Sequence, residues 1–230
     1  MKAFDLGVYL VTDTDLCGAR GVCETVLTSV QGGVTMVQLR DKTASDAELI
    51  ALGRMLKAAL SAHQAALIIN DRIEVATAVG ADGLHIGQSD GDPGEARARL
   101  GQRAIIGLSV ETPERARAAN PALIDYLGVG PVFATATKAD HAAPLGFDGL
   151  RAICAVHAEL PKVAIGGLRA DHAAEVIRSG ARGLAVVSAI CAAPDATVAS
   201  REIRARVDEA RARQSPSTAA RPPGQNIQIA

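Results

Sequence analysis

Short apolar runs of strand length recur along this chain, each followed by a few polar residues and then by a longer stretch of helical period. The runs are Val8 to Thr12, Thr35 to Leu39, Ala66 to Ile69, Gly83 to Ile86, Ala104 to Leu108, Ile124 to Val129, Lys162 to Ile165 and Gly183 to Val187. Eight strands alternating with helices predict βα units and a parallel sheet. The runs are apolar rather than alternating, which suits strands covered on both faces. Between them, Glu48 to Ala62 places Leu49, Leu52, Leu56 and Leu60 on one helical face, and Asp171 to Gly180 carries Ala174, Val176 and Ile177 before a terminating glycine. The expected fold is α/β, a single (β/α)8 TIM barrel over residues 1–214. From Ser215 to Ala230 the chain turns to Pro, Ser, Gln and Ala with little to bury, and a disordered C-terminal tail is expected there.

Composition adds to this picture mainly by exclusion. The 230 residues, 48% of them hydrophobic, are enough for one domain with a full core. With three Phe, two Tyr and no Trp, that core is built from aliphatic side chains, as barrel layers are. Basic and acidic residues number 24 and 25, so no net field points to nucleic acid or a membrane surface. Cys17, Cys23, Cys154 and Cys191 form no CxxC pair, and no stretch reads as a signal peptide or membrane span. A reducing, cytoplasmic setting is expected, and the sequence leaves homo-oligomerisation open.

Chemistry gathers where strands end. In a barrel the polar insertions at Gln38 to Lys42, Asn70-Asp71, Gln88 to Asp90, Ser109, Thr135 to Lys138 and Gly166-Gly167 all open at one mouth. Gln38, Arg40 and Lys42 share a parity that turns them together to the mouth or lumen, with Asp41 available to pair in a purely structural network. Asp71 and Asp90 follow neighbouring strands and suit a Mg2+ ion, although each could equally cap a helix. Thr135, Thr137 and Lys138 lie in a connection long enough to act as a lid. Gly167 and Ser188 follow the seventh and eighth strands, where barrels often hold a phosphate on backbone N–H groups. Two anionic groups bound at once, with neither a Cys/His dyad nor paired Glu residues, favour group transfer from a diphosphate ester.

The segments Tyr9 to Asp13, Val37 to Lys42, Ile69 to Asp71, Ala81 to Gln88, Asp125 to Phe133, Thr135 to Lys138 and Ala164 to Leu168 closely resemble, in order, the thiamine-phosphate synthase family. The resemblance runs from about Tyr9 to Ile190 and implies a Mg2+-dependent transferase. Such an enzyme joins 4-amino-2-methyl-5-hydroxymethylpyrimidine diphosphate to a (carboxy)thiazole phosphate, giving thiamine phosphate and pyrophosphate. By matching positions, Gln38, Leu39, Arg40, Asp41, Lys42, Asn70, Ser109 and Lys138 would bind the pyrimidine diphosphate. Lys138, Arg40 and Lys42 would be the catalytic cations, and Asp71 and Asp90 would hold the metal. Thr135, Ala136, Thr137, Gly167, Val187 and Ser188 would take the thiazole phosphate. The partners implied are these small molecules, not nucleic acid or membrane. Two other readings stand beside it: a thiazole tautomerase-like paralogue, which needs an acid/base histidine, and a non-catalytic phosphate-ligand-binding protein. His85 lies inside an apolar run and reads as a satisfied core or supporting histidine rather than an acid/base.

Overall fold

In the computed structural model, which describes residues 4–135, 137 and 143–214, eight parallel strands close into a barrel in sequence order. They are β1 (Val8–Val11), β2 (Met36–Leu39), β3 (Ala66–Asn70), β4 (Gly83–Ile86), β5 (Ile105–Val110), β6 (Tyr126–Val129), β7 (Lys162–Ile165) and β8 (Leu184–Val186). Pairing of β1 with β8 through Val8 and Leu184 closes the ring. The expected TIM barrel is therefore the observed fold. The expected tail, 215–230, lies outside the described residues.

The helices follow the strands around the outside. A short α1 (Thr14–Cys17) and α2 (Gly21–Gln31) follow β1, and α3 (Asp46–Leu60), α4 (Ile73–Val79), α5 (Pro93–Leu100) and α6 (Pro113–Ala118) follow the next four strands. The rest are α7 (Gly146–Cys154), α8 (Ala173–Arg178), α9 (Ser188–Cys191) and α10 (Ala196–Gln214). Their starts are encoded locally. Ser45 and Glu48 form a reciprocal capping box on α3, and Asp92 and Thr112 accept backbone N–H groups at the starts of α5 and α6. On α3 the buried face is Leu49, Gly53, Leu56 and Leu60, where burying each leucine contributes about 1.5–3 kcal/mol. Gly53 is part of that face because a Cβ there would lie 2.7 Å from Val79 on α4. On α8 the buried residues are Ala173, Val176 and Ile177, so Ala173 replaces the expected Ala174 as the inner alanine.

Alternation along each strand separates two cores. Val37, Leu39, Leu67, Ile69, Leu84, Ile86, Leu127 and Val129 face the helices. Tyr9, Val11, Met36, Ala66, Ile68, Ile105, Tyr126, Val163 and Ala185 fill the lumen. At the end of the barrel opposite the mouth, Asp125 just before β6 pairs with Arg97 of α5 at 2.6 Å, both side chains buried. Arg97 also donates to the carbonyls of Leu123, Gly101 and Ala104, and Asp125 accepts the Ile106 N–H.

Candidate active site

Most of the strand-end groups that the structure describes open on one cavity at the C-terminal mouth, while Asp41, Gln88 and Ser89 do not line it. Its wall includes Gln38, Arg40, Lys42, Asn70, Asp71, Asp90, Ser109, Thr135, Thr137, Gly167, Val187 and Ser188. Inward parity puts Gln38 among Met36 and Tyr9 in the lumen, as expected, and leaves Arg40 and Lys42 at the rim. Leu39 has the opposite parity, and its side chain packs against the helices. Asp41 is not part of the cavity wall. Its carboxylate accepts hydrogen bonds from Thr14 Oγ1, Thr43 N–H, Thr43 Oγ1 and the Ala44 N–H, fastening the loop that carries its two cationic neighbours. Burial tends to raise the Asp41 carboxyl, but those hydrogen bonds outweigh it and bring it down to about 2.

The two metal candidates are not helix caps. Asp71 precedes Arg72, the N-cap of α4, which makes no side-chain cap bond, while α5 is capped by Asp92 rather than Asp90. Asp71 has φ +61°, a left-handed conformation that costs a non-glycine residue of order 1 kcal/mol and that clusters at functional sites. Its Oδ2 accepts a 2.6 Å hydrogen bond from Asn70 Nδ2. The Asp90 carboxylate reaches back over the β4 end and accepts the Gly87 N–H at 3.0 Å. A Cβ on Gly87 would lie 2.3 Å from that carboxylate, so the glycine makes room for it. Burial first, and then the charge of Asp90, push the Asp71 carboxyl up to about 6, while Lys42 works in the opposite direction. A carboxylate whose ionisation is opposed by a second carboxylate, beside a lysine, belongs to a donor set that a hard divalent cation would relieve. Among the described residues no three His, Cys, Asp or Glu side chains cluster, so a Mg2+ ion held here would complete its shell with water and phosphate oxygens.

Arg72 links the two sides. Its Nη1 donates to the Ala44 carbonyl at 2.8 Å and to Asp46 Oδ1 at 2.7 Å, clamping the loop after β2 to the Asp71 turn. Arg72→Ala is expected to raise the KM for the diphosphate substrate expected from the sequence about tenfold with little change in kcat, the loss of roughly one charge-assisted hydrogen bond's worth of positioning. Steady-state kinetics decide it: an unchanged KM would show that the loop holds its place without Arg72.

Across the mouth, Thr135 and Thr137 hydroxyls lie 2.8 Å apart. Gly166 and Gly167 have φ of +104° and +62°. A Cβ on Gly167 would meet the Ala134 carbonyl and Phe133 at 2.8 Å, so only glycine lets the turn after β7 nest against the threonine loop. Phe133 packs edge-on against Phe147 and tilts over His172, which pins the base of that loop. Ser188 opens α9 directly after β8. Ala136 and Lys138 lie outside the described residues. Sequence reading did not place Tyr9, Val11, His85 or Glu111 at the cavity, yet all four line it. His85, the one histidine in the wall among the described residues, has both ring nitrogens engaged, by Tyr126 and Ser109, which does not suit the free acid/base of a tautomerase.

Comparison with known proteins agrees with this geometry. A family model, TMP-TENI, thiamine monophosphate synthase, matches residues 8–190. A thiamine-phosphate synthase of Azorhizobium caulinodans is 50% identical over 90% of this chain and 98% of its own length. One of Xanthobacter autotrophicus is 51% identical over 91% and 99%. Among solved structures, a thiamine phosphate pyrophosphorylase from Pyrococcus furiosus superposes with a TM-score of 0.80 at 36% identity, covering 89% of this chain and 96% of that one. A 3-hexulose-6-phosphate synthase, at 17% identity and a TM-score of 0.62, shares the fold alone. No described helix is long and apolar enough to cross a membrane. With its eight-stranded barrel, its mouth of paired carboxylates and cations, and identity near one half along almost the whole length of these relatives, the chain belongs to the thiamine monophosphate synthase family.

Proposed function

We propose that this protein is a Mg2+-dependent transferase that condenses 4-amino-2-methyl-5-hydroxymethylpyrimidine diphosphate with a thiazole phosphate, releasing pyrophosphate and forming thiamine phosphate. The observation that carries the reading is the pairing of Asp71 with Asp90 in a cavity also lined by Arg40 and Lys42. Arg40 offers a planar fork and Lys42 a movable ammonium to the diphosphate oxygens, while Gln38, Asn70 and Ser109 meet the pyrimidine. Asp71 and Asp90 would hold Mg2+, which when bound supplies charge neutralisation for the departing pyrophosphate. Thr135, Thr137, Gly167, Val187 and Ser188 take the thiazole phosphate from the facing side of the mouth. The electron-rich aminopyrimidine spreads the positive charge left on its methylene as the C–O bond breaks. The thiazole nitrogen, held close by the second phosphate site, then forms the new C–N bond. No protein nucleophile takes part, and the cavity wall shields the cation from water. Lys138 is assigned the role of a further cation on the leaving group through the family resemblance.

Purified protein incubated with both substrates and Mg2+ is expected to yield thiamine phosphate and pyrophosphate in equal amounts, and to yield neither when the metal is chelated. Binding of both substrates without product would instead identify a non-catalytic binding protein.

A further inference from the structure

Below the mouth a line of hydrogen bonds crosses the barrel interior. Gln38 Nε2 donates to Tyr9 Oη at 2.8 Å, Tyr9 Oη and Tyr126 Oη are 2.9 Å apart, Tyr126 Oη and His85 Nδ1 are 2.8 Å apart, and His85 Nε2 and Ser109 Oγ are 2.9 Å apart. Five strands contribute, and the two ends, Gln38 and Ser109, are two of the three residues assigned above to the pyrimidine. Tyr9 and Tyr126 are 1% and 0% exposed. Burial holds both phenols well above the ordinary tyrosine range, so each stays a neutral hydroxyl with one proton to give.

The barrel makes space for this line. A Cβ on Gly107 of β5 would sit 2.1 Å from Tyr126 Cζ and 2.5 Å from His85 Nδ1, and one on Gly128 of β6 would sit 2.9 Å from His85 Cε1. Neither glycine has a positive φ, so their lack of a side chain serves the two rings rather than the backbone. The His85 and Tyr126 rings stack at 5.4 Å, and Tyr9 meets Tyr126 edge-on at 6.0 Å. These packings fix the rings, and the rings fix the hydrogen bonds.

Each hydroxyl has one proton, and the arrangement that gives the Tyr9 and Tyr126 protons an acceptor along the line runs one way. With the Gln38 amide donating to Tyr9, Tyr9 donates to Tyr126 and Tyr126 donates to Nδ1 of His85, which places the ring proton on Nε2, facing Ser109. Ser109 then accepts from below, and its own proton is left for the cavity. Gln38, with one proton of its amino group committed to Tyr9, offers its amide oxygen. One end of the floor is thus an acceptor and the other a donor.

We propose that Tyr9, Tyr126 and His85 are positioning residues whose one-way hydrogen-bond chain holds Gln38 as an acceptor and Ser109 as a donor, and so selects a pyrimidine carrying an amino group over the same ring carrying an oxo group. The inference rests on the pyrimidine diphosphate being the substrate. An aminopyrimidine presents N–H donors and unprotonated ring nitrogens. The oxo ring, in its lactam form, presents a carbonyl oxygen where the amine was and a protonated nitrogen beside it, which leaves buried polar groups facing like partners. Sites built on hydrogen bonds discriminate strongly on that ground.

The test compares dissociation constants of the amino and oxo pyrimidine diphosphates, by calorimetry with Mg2+ present, in the wild type and in Tyr126→Phe and Tyr9→Phe. The wild type is expected to prefer the amino ring by about 100-fold or more, and each variant to lose roughly tenfold of that preference. A purely packing role would lower the melting temperature and leave the ratio unchanged, which would overturn the proposal. Nitrogen-15 NMR of wild-type His85, assigned against His85→Gln, is expected to show protonated Nε2 and bare Nδ1. The opposite tautomer would sink the idea even if the phenylalanine variants fail to fold. A wild type that makes thiamine phosphate yet binds both rings equally defeats the relay alone, whereas a wild type that binds neither ring defeats the functional reading beneath it.

Discussion

Asp71→Asn is expected to lower kcat/KM for thiamine phosphate formation by roughly 10²–10³-fold, because it removes one of two carboxylates proposed to hold a cation whose charge neutralisation is worth several kcal/mol. The half-saturating Mg2+ concentration should rise in parallel. The same change should stabilise the metal-free protein. Asp71 in the fold is pushed up to about 6 from an ordinary value of 3.8, by burial and then by Asp90. Below the ordinary value the carboxyl is protonated whether folded or unfolded, and its ionisation costs the fold nothing. As pH rises through about 6 the folded protein must ionise it against Asp90, and that stability is lost. At pH 8 Asp71→Asn should therefore recover on the order of 1 kcal/mol, discounted for solvent screening, while at pH 4 this gain should vanish. Denaturant melts at the two pH values check the sign. A variant that keeps wild-type turnover at limiting Mg2+ would falsify the metal role.

Asp125→Ala is expected to be the most destabilising single change, costing about 3–5 kcal/mol, by leaving the buried Arg97 guanidinium without its counter-charge. For a chain of this size that corresponds to a fall in Tm of roughly 10 °C. The pair lies at the end of the barrel away from the cavity, so KM values measured well below the transition should not change. Replacing both partners by apolar residues, Arg97→Met with Asp125→Leu, is expected to restore much of the loss. Thermal melts of the two variants beside the wild type separate an unpaired buried charge from simple loss of packing. If the double variant is as unstable as Asp125→Ala, the backbone carbonyls bound by Arg97, not the ion pair, hold the loops together.

Much of this molecule was legible in the sequence because strand ends are marked by an abrupt change from apolar to polar. That rule placed all eight strands and brought Arg40, Lys42, Asp71 and Asp90 to one mouth. It failed where a polar residue belongs inside a strand. Ser109 reads as the residue after β5, yet β5 continues to Val110, since the serine hydroxyl finds its partner in His85 within the lumen. Asp41 shares a segment with two cavity cations but faces away from the cavity and holds the loop, a role set by turn hydrogen bonds that spacing does not reveal. His85 was read as a satisfied core or supporting histidine, and both its ring nitrogens are hydrogen-bonded. Its partner Tyr126, and Tyr9 beyond it, were invisible as such, because a tyrosine in an apolar run is indistinguishable from core until the strands are placed side by side. The proposed Lys138 contact and the 215–230 segment lie outside the described residues.

Gly107 and Gly128 carry a consequence for how such a barrel can change over generations. Adjacent strands give up their side chains at neighbouring positions so that two rings from β4 and β6 can occupy the space. An alanine at Gly107 has nowhere to go while Tyr126 and His85 remain. A smaller residue in place of either ring leaves a hole that the glycines cannot fill. Substitutions here must arrive together to be tolerated, so the floor of the cavity is inherited as a set.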